Sequence, residues 1–235
     1  MDIAARLAEV RGRIADAARR ASRDASSVTL VAVSKFHPAE AIEAAYAAGQ
    51  RHFGENRVQE AEEKKGLLGR LIESADPLRL ELIGALQSNK ARKAVAAVWR
   101  IQSIDSVALG ERVGRIAREL GLVMPVLVQV DLAGEATKTG VPETALFETL
   151  QTLRSAKGIR VEGLMVIPPF LEDPNDVRPY FVRLRALRDQ ARERGLLDGA
   201  ELSMGMSHDF EAAIEEGATI VRVGTAIFGD RPVSG

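Results

Sequence analysis

The sequence predicts an α/β fold, a single (β/α)8 TIM barrel with one extra helix at its N-terminus. Three observations predict it. Eight short apolar runs recur along the 235 residues, rich in β-branched side chains and without strict polar alternation, as in parallel strands covered on both faces. Helical segments separate them, and a strand–helix beat repeated eight times implies a parallel sheet with right-handed crossovers. Eight such units in roughly 200–250 residues is the size at which the sheet closes into a barrel. An open doubly wound sheet is the rival, but no Gly-x-Gly-x-x-Gly follows the first strand.

Taken in order, residues 4–21 carry Leu7, Val10, Ile14 and Ala17 at helical spacing, with charged residues on the other face. The strands follow at 28–34 (VTLVAVS), 51–54 (RHFG), 80–84 (LELIG), 100–104 (RIQSI), 124–130 (MPVLVQV), 160–167 (RVEGLMVI), 201–204 (ELSM) and 219–223 (TIVRV). Pro38 opens the first barrel helix, AEAIEAAYAAG, and Gly49 closes it. Further helices are expected at 57–69, 88–98, 106–120, 142–154, 176–194 and 208–216, several started by Ser, Asp or Pro and closed by Gly. No Pro/Gly/Ser-rich linker divides the chain. The expectation is one domain over 1–235, with the barrel at about 28–229.

Composition narrows the chemistry. A net charge of −1 argues against a nucleic-acid binder. The absence of cysteine excludes disulfides, thiol catalysis and cysteine-ligated metals. His37, His52 and His208 are scattered without metal-ligand spacing. Neither a signal-peptide h-region nor a membrane-length apolar run is visible, so the expectation is a soluble cytoplasmic protein.

In a barrel of this kind the active face lies at the C-terminal ends of the strands. Strand one delivers Ser34-Lys35 there, strand two Glu55-Asn56-Arg57, strand five Asp131, and its loop Glu135, Lys138 and Gly140. Strands seven and eight deliver Ser203-Met204-Gly205-Met206-Ser207 and Arg222-Val223-Gly224-Thr225. Loops after those last two strands, with a short helix, are the fold's usual phosphate site. Gly205, Gly224 and Ser207 are small enough for backbone N–H groups to approach oxygens, although glycines can also serve tight turns alone. Lys35 would hold the other end of the same small molecule. As a nucleophile it must be neutral, so its reference pKa of about 10.4 must be lowered by burial or by a nearby cation such as Lys138. Arg222 shares a face with Gly224 and points into the barrel. It either pairs with a carboxylate, Glu55 or Asp131, or donates to a ring acceptor that stays unprotonated.

The stretches VAVSK, FGENRVQE, LIGALQSNK, EATKTG, GLMVIPP, LSMGMSHDFEAAI and TIVRVGTAIFG, from about residue 31 to 229, carry a resemblance. The chain resembles the YggS/PROSC family of pyridoxal 5′-phosphate-binding proteins, the PLP homeostasis proteins, and is similar to the N-terminal barrel of alanine racemase. The resemblance implies PLP fold-type III without the racemase's C-terminal β-domain. It implies a Schiff base at Lys35, a phosphate held by Ser203, Ser207, Gly224 and Thr225, and Arg222 against the pyridine nitrogen. Asn56 would lie on the cofactor's side, and Lys138 would correspond to a lysine considered for cofactor transfer. Two positions depart from the pattern. Glu81 stands where histidine is usual, with packing or a surface hydrogen bond as its expected role, and Asp131 stands where Asn is usual.

The resemblance implies intracellular PLP homeostasis by storage, buffering or delivery, without substantial catalysis, with PLP-dependent apo-enzymes as possible acceptors. A racemase-like enzyme is the alternative. It needs bases on both faces of the substrate carbon, and the only tyrosines, Tyr46 and Tyr180, fall in barrel helices. The missing second domain favours a monomer. A Schiff-base aldolase would use the same lysine and phosphate logic but leaves Arg222 unexplained.

Overall fold

A computed structural model describes residues 2–134 and 139–229. Eight parallel strands close into the expected barrel: β1 (Thr29–Val33), β2 (His52–Glu55), β3 (Arg79–Leu82), β4 (Arg100–Ile104), β5 (Met124–Asp131), β7 (Ile159–Met165), β8 (Glu201–Met206) and β9 (Ile220–Val223). Each pairs with the next, β4 with β5 included, and β1 pairs with β9 to complete the circle. A two-residue strand absent from the sequence reading, β6 (Val141–Pro142), extends the end of β5.

Eight helices fall near their expected places: α1 (Ile3–Arg20), α2 (Ala39–Ala47), α3 (Val58–Ile72), α4 (Ala91–Ala97), α5 (Val107–Glu119), α6 (Leu146–Arg154), α7 (Arg178–Glu193) and α8 (Phe210–Glu215); a short helix, α9 (Thr225–Phe228), follows β9. Two begin later than the periodicity suggests. The segment 88–98 opens with a 3-10 turn at Ser88–Lys90, and 142–154 opens with β6 and a 3-10 turn at Glu143–Ala145. Pro142, with its fixed φ, belongs to the strand rather than to the helix.

The eighth barrel helix, α9, has four residues and covers little. The N-terminal helix fills that gap. Its stripe of Leu7, Val10, Ile14, Ala17 and Ala18 is buried against α8, α9 and α2. Arg13 adds a two-pronged ion pair to Glu211 of α8 at 3.0 and 3.1 Å. Burying a stripe of this kind stabilises by about 25 cal/mol per Å² of apolar area, far more than the half-exposed ion pair beside it.

Inside the barrel the filling is divided. Val31, Leu127, Met165 and Ile220 form a small apolar cluster of their own. The rest of the interior is polar and hydrogen-bonded. Glu81, Gln102 and Ser203 are fully buried, and Arg100 and Arg222 nearly so. Glu81 is therefore no surface residue, contrary to its sequence expectation. It accepts from Arg100 Nε and Nη2 at 2.8 and 3.0 Å and from Gln102 Nε2 at 2.7 Å, and His52 Nδ1 lies 2.7 Å away. Burial by itself would raise this carboxyl, but the Arg100 charge and the bonds from His52 and Arg100 outweigh it and hold Glu81 at about 2. Among the described residues no helix is long and apolar enough to cross a membrane.

Candidate active-face site

Lys35 lies one residue past the end of β1, in a tight turn closed by His37 N–H donating to Ser34 O at 3.0 Å. The third residue of that turn, Phe36, has φ +66°, the mark of a type II turn, where glycine is normal. A bulky side chain there is strained. Several neighbours hold the turn nonetheless. Glu60 accepts the Phe36 N–H at 3.0 Å, and Lys64 Nζ donates to Ser34 O at 2.7 Å. Ser34 Oγ donates to Glu55 at 2.6 Å, and Glu55 pairs with Lys64 at 2.5 Å. Alternation from the inward His52 turns Glu55 outward, toward α3, so this buried triad lies behind the strand that presents Lys35.

Burial pushes the Glu55 carboxyl up to about 7 despite Lys64 and Ser34, from an ordinary value of 4.5. A carboxyl raised in the folded state stabilises fully below the unfolded value and loses that contribution as pH rises through the folded one. The displacement corresponds to about 3 kcal/mol. Urea unfolding of the wild type and Glu55→Gln, compared from pH 4.5 to pH 8, should show the wild type losing about 2–3 kcal/mol relative to the variant. A constant difference would mean that Glu55 ionises in the folded protein as easily as in water.

A cavity of about 550 Å³ opens at the C-terminal ends of the strands. Its wall brings together Lys35 from β1, Asn56 after β2, Ser207 after β8, and Arg222, Gly224 and Thr225 from β9 and its loop. The β3 end contributes Gly84, where a Cβ would stand 2.2 Å from Asn56 O. Only glycine lets the Asn56 backbone lie so close. Ser207 Oγ accepts the Gly224 N–H at 3.1 Å, which ties the two loops together and leaves the hydroxyl proton for a ligand. In the short helix that starts at Thr225, the Ile227 and Phe228 N–H groups donate to Gly224 O at 2.8 and 3.0 Å, while those of Thr225 and Ala226 stand ahead of the helical ladder.

Ser203 does not belong to that wall. It is fully buried, below the cavity, with its hydroxyl donating to Gln102 Oε1 at 2.5 Å and accepting from Arg222 Nη1 at 2.5 Å. It supports Arg222 from beneath, contrary to the phosphate contact expected of it. Gly205 is not in the wall either: it lies inside β8 with φ +90°, where a Cβ would meet Ala213 Cβ at 2.5 Å, so it serves a left-handed bulge packed on α8. Lys138, with Glu135, lies outside the described residues.

Arg222 is 3% exposed, and its partners are not the expected carboxylates. Nη1 donates to Ser203 and Nη2 to Val166 O at 2.9 Å. Glu55 is committed to Lys64, and Asp131 caps its own loop by accepting from Ala133 and Gly134 N–H at 3.0 Å. Burial pushes the Arg222 guanidinium down to about 10, opposed by the charge of Asp209. It remains a cation at neutral pH.

The cavity also holds residues the sequence reading passed over. His37, two positions beyond Lys35, lines the wall and stacks on Phe228 at 5.1 Å. Burial, with the charge of Lys64, lowers its pKa and favours the neutral ring. Its spacing from Lys35 was the available signal. Phe170, 77% exposed, and Ile167 form an apolar rim, with His208 against Phe170 at 5.2 Å. Tyr46 and Tyr180 stand away from the cavity, packed on the outer core, and Tyr46 Oη donates to Asp76 O at 2.7 Å. Among the described residues no cluster of His, Asp and Glu could hold a metal ion.

Residues 7–232 match the family described as alanine racemase, N-terminal domain. The chain belongs to that family. Within it, the pyridoxal phosphate homeostasis protein of Aquifex aeolicus is 43% identical over 98% of this chain and 99% of its own. The protein of the same name from Escherichia coli is 38% identical over 99% and 98%. The structure of PipY from Synechococcus elongatus, described as having PLP bound, superposes with a TM-score of 0.84 at 45% identity, covering 97% of this chain and 100% of that one. Alanine racemase from Corynebacterium glutamicum shares the fold, with a TM-score of 0.71 at 18% identity. This chain covers 97% of itself and 63% of that longer enzyme.

Proposed function

We propose that this chain binds pyridoxal 5′-phosphate through Lys35 and holds it for storage, buffering or delivery, without substantial turnover. One observation carries the reading. One cavity has an amine just after β1, the Ser207 hydroxyl and the Gly224–Thr225 backbone from the neighbouring β8 and β9 ends, and a buried cation, Arg222, in its wall. The residues fit the group. The cavity volume is within the range of about 300–1,000 Å³ usual for small-ligand sites. Two loops tied through Ser207 and Gly224 suit a phosphate, and the strained turn at Phe36 suits a lysine aimed inward. The names of the relatives, and the PLP described in PipY, support the same cofactor.

Lys35 would hold the cofactor through its Nζ, the amine in the cavity wall that could condense with an aldehyde with loss of one water. When bound, the cofactor supplies a conjugated ring able to withdraw electrons from an attached amine carbon. Arg222, a cation that does not yield its proton, would face the ring nitrogen and leave it unprotonated, which would weaken that withdrawal. Asn56 borders the ring. Lys138 is proposed as the lysine that aids transfer. The reading carries with it one folding unit, a monomer in the cytoplasm, and PLP-dependent apo-enzymes as acceptors.

The expected result of titrating the protein with pyridoxal phosphate is a yellow complex with one cofactor per chain. Offered a panel of amino acids, it should show turnover well below about 1 s⁻¹, the low end for enzymes. A colourless protein would overturn the binding reading. Racemisation at or above that rate would overturn the carrier reading and turn attention to His37 and His208, the other base-capable groups in the cavity wall.

A further inference from the structure

We propose that Glu81, acting through Gln102 and Ser203, is a positioning residue that fixes the plane of Arg222 in the cofactor site. The inference rests on the reading that Arg222 faces the cofactor ring. Its basis is one unbroken line of hydrogen bonds inside the barrel. Arg222 Nη1 donates to Ser203 Oγ at 2.5 Å, Ser203 Oγ donates to Gln102 Oε1 at 2.5 Å, and Gln102 Nε2 donates to Glu81 Oε2 at 2.7 Å. The line runs from the cavity toward the opposite end of the barrel. There Glu81 meets Arg100 and His52, the first residues of β4 and β2.

Every bond in the line points the same way because both ends fix it: Arg222 can only donate, and Glu81 can only accept. Held as a carboxylate by Arg100, it has no proton to give and can only accept. Gln102 must therefore turn its amide nitrogen to Glu81, which leaves its carbonyl facing Ser203. Ser203 must then spend its one proton on that carbonyl, and it presents only lone pairs to Arg222. With Nη1 held there and Nη2 held on Val166 O at 2.9 Å, two fixed acceptors define the guanidinium plane. Arg100 neutralises Glu81 locally through two bonds, so the line conveys proton direction rather than charge. Glu81, Gln102 and Ser203 are fully buried, so water offers these three no alternative partner that could reorder them.

The test is a double-mutant cycle read by cofactor affinity and by the visible spectrum of bound pyridoxal phosphate. Gln102→Met keeps volume and cuts the line in the middle, leaving the Glu81–Arg100 pair in place. Ser203→Ala cuts it beside Arg222. Each should weaken pyridoxal phosphate by about tenfold and shift the absorbance maximum, and Gln102→Met should add nothing in the Ser203→Ala background. Wild-type affinity and spectrum in folded Gln102→Met would overturn the proposal, as would two effects that simply multiply. Should Gln102→Met not fold, Gln102→Asn, one methylene too short to bridge both neighbours, replaces it with the same expectations. Failure of the wild type to bind pyridoxal phosphate would instead overturn the underlying reading, and with it the proposal.

Discussion

Lys35→Ala should bind pyridoxal phosphate without colour and with affinity lowered by about 100-fold, equivalent to about 2.7 kcal/mol. The donors proposed for the phosphate and Arg222 remain in the variant, so binding should be weakened rather than abolished. What disappears is the amine that closes the bond to the aldehyde. Lys35 is half-buried at the mouth and lies outside the buried triad of Ser34, Glu55 and Lys64. Its truncation should therefore cost less unfolding stability than losing a member of that triad, about 1 kcal/mol or less. Equilibrium dialysis and absorbance spectra measure the first effect, and urea unfolding the second. Unchanged colour in the variant would assign the covalent bond to another amine.

Arg100→Met should be the most destabilising of the interior substitutions, by about 3–5 kcal/mol. Methionine fills much of the space but leaves Glu81 fully buried with its counter-charge removed. The loss is electrostatic, not a packing void, and that separates it from an ordinary core truncation. Adding Glu81→Leu removes the stranded carboxylate and should recover more than half of the loss, because an apolar replacement of a buried pair can be nearly neutral. Complete recovery is not expected, since Gln102 and His52 also bond to Glu81. Chemical denaturation of the two variants decides the point. A single-variant cost below about 1 kcal/mol would mean that water or His52 compensates the carboxylate.

The barrel was legible because its strands are buried on both faces, and apolar runs bounded by helices leave few other readings. All eight strands stand within a few residues of their expected places. The upper wall of the site was legible for a related reason. Strand ends point to one face of the barrel, so counting to each end finds Lys35, Asn56, Ser207, Gly224 and Thr225 without knowing the register. Depth was not legible. Ser203 and Ser207 are both polar residues of the β8 end, yet one lies beneath Arg222 and the other in the cavity wall. The register shift between Ser203 and Met206 intervenes. Cross-barrel partners were hidden for the same cause. Which acceptor meets Arg222, or which donor meets Glu81, depends on strand stagger, and chain order carries no trace of it. Glu55 is an exception. Alternation from His52 already turns it away from the barrel axis, and with that it could not have been the partner of Arg222.

Reductive trapping tests the central claim most directly. The protein loaded with pyridoxal phosphate is treated with borohydride, digested and mapped by mass spectrometry. The account predicts loss of the yellow colour and one added pyridoxyl phosphate on the peptide that contains Lys35. A label on any other lysine, or no label at all, would contradict it.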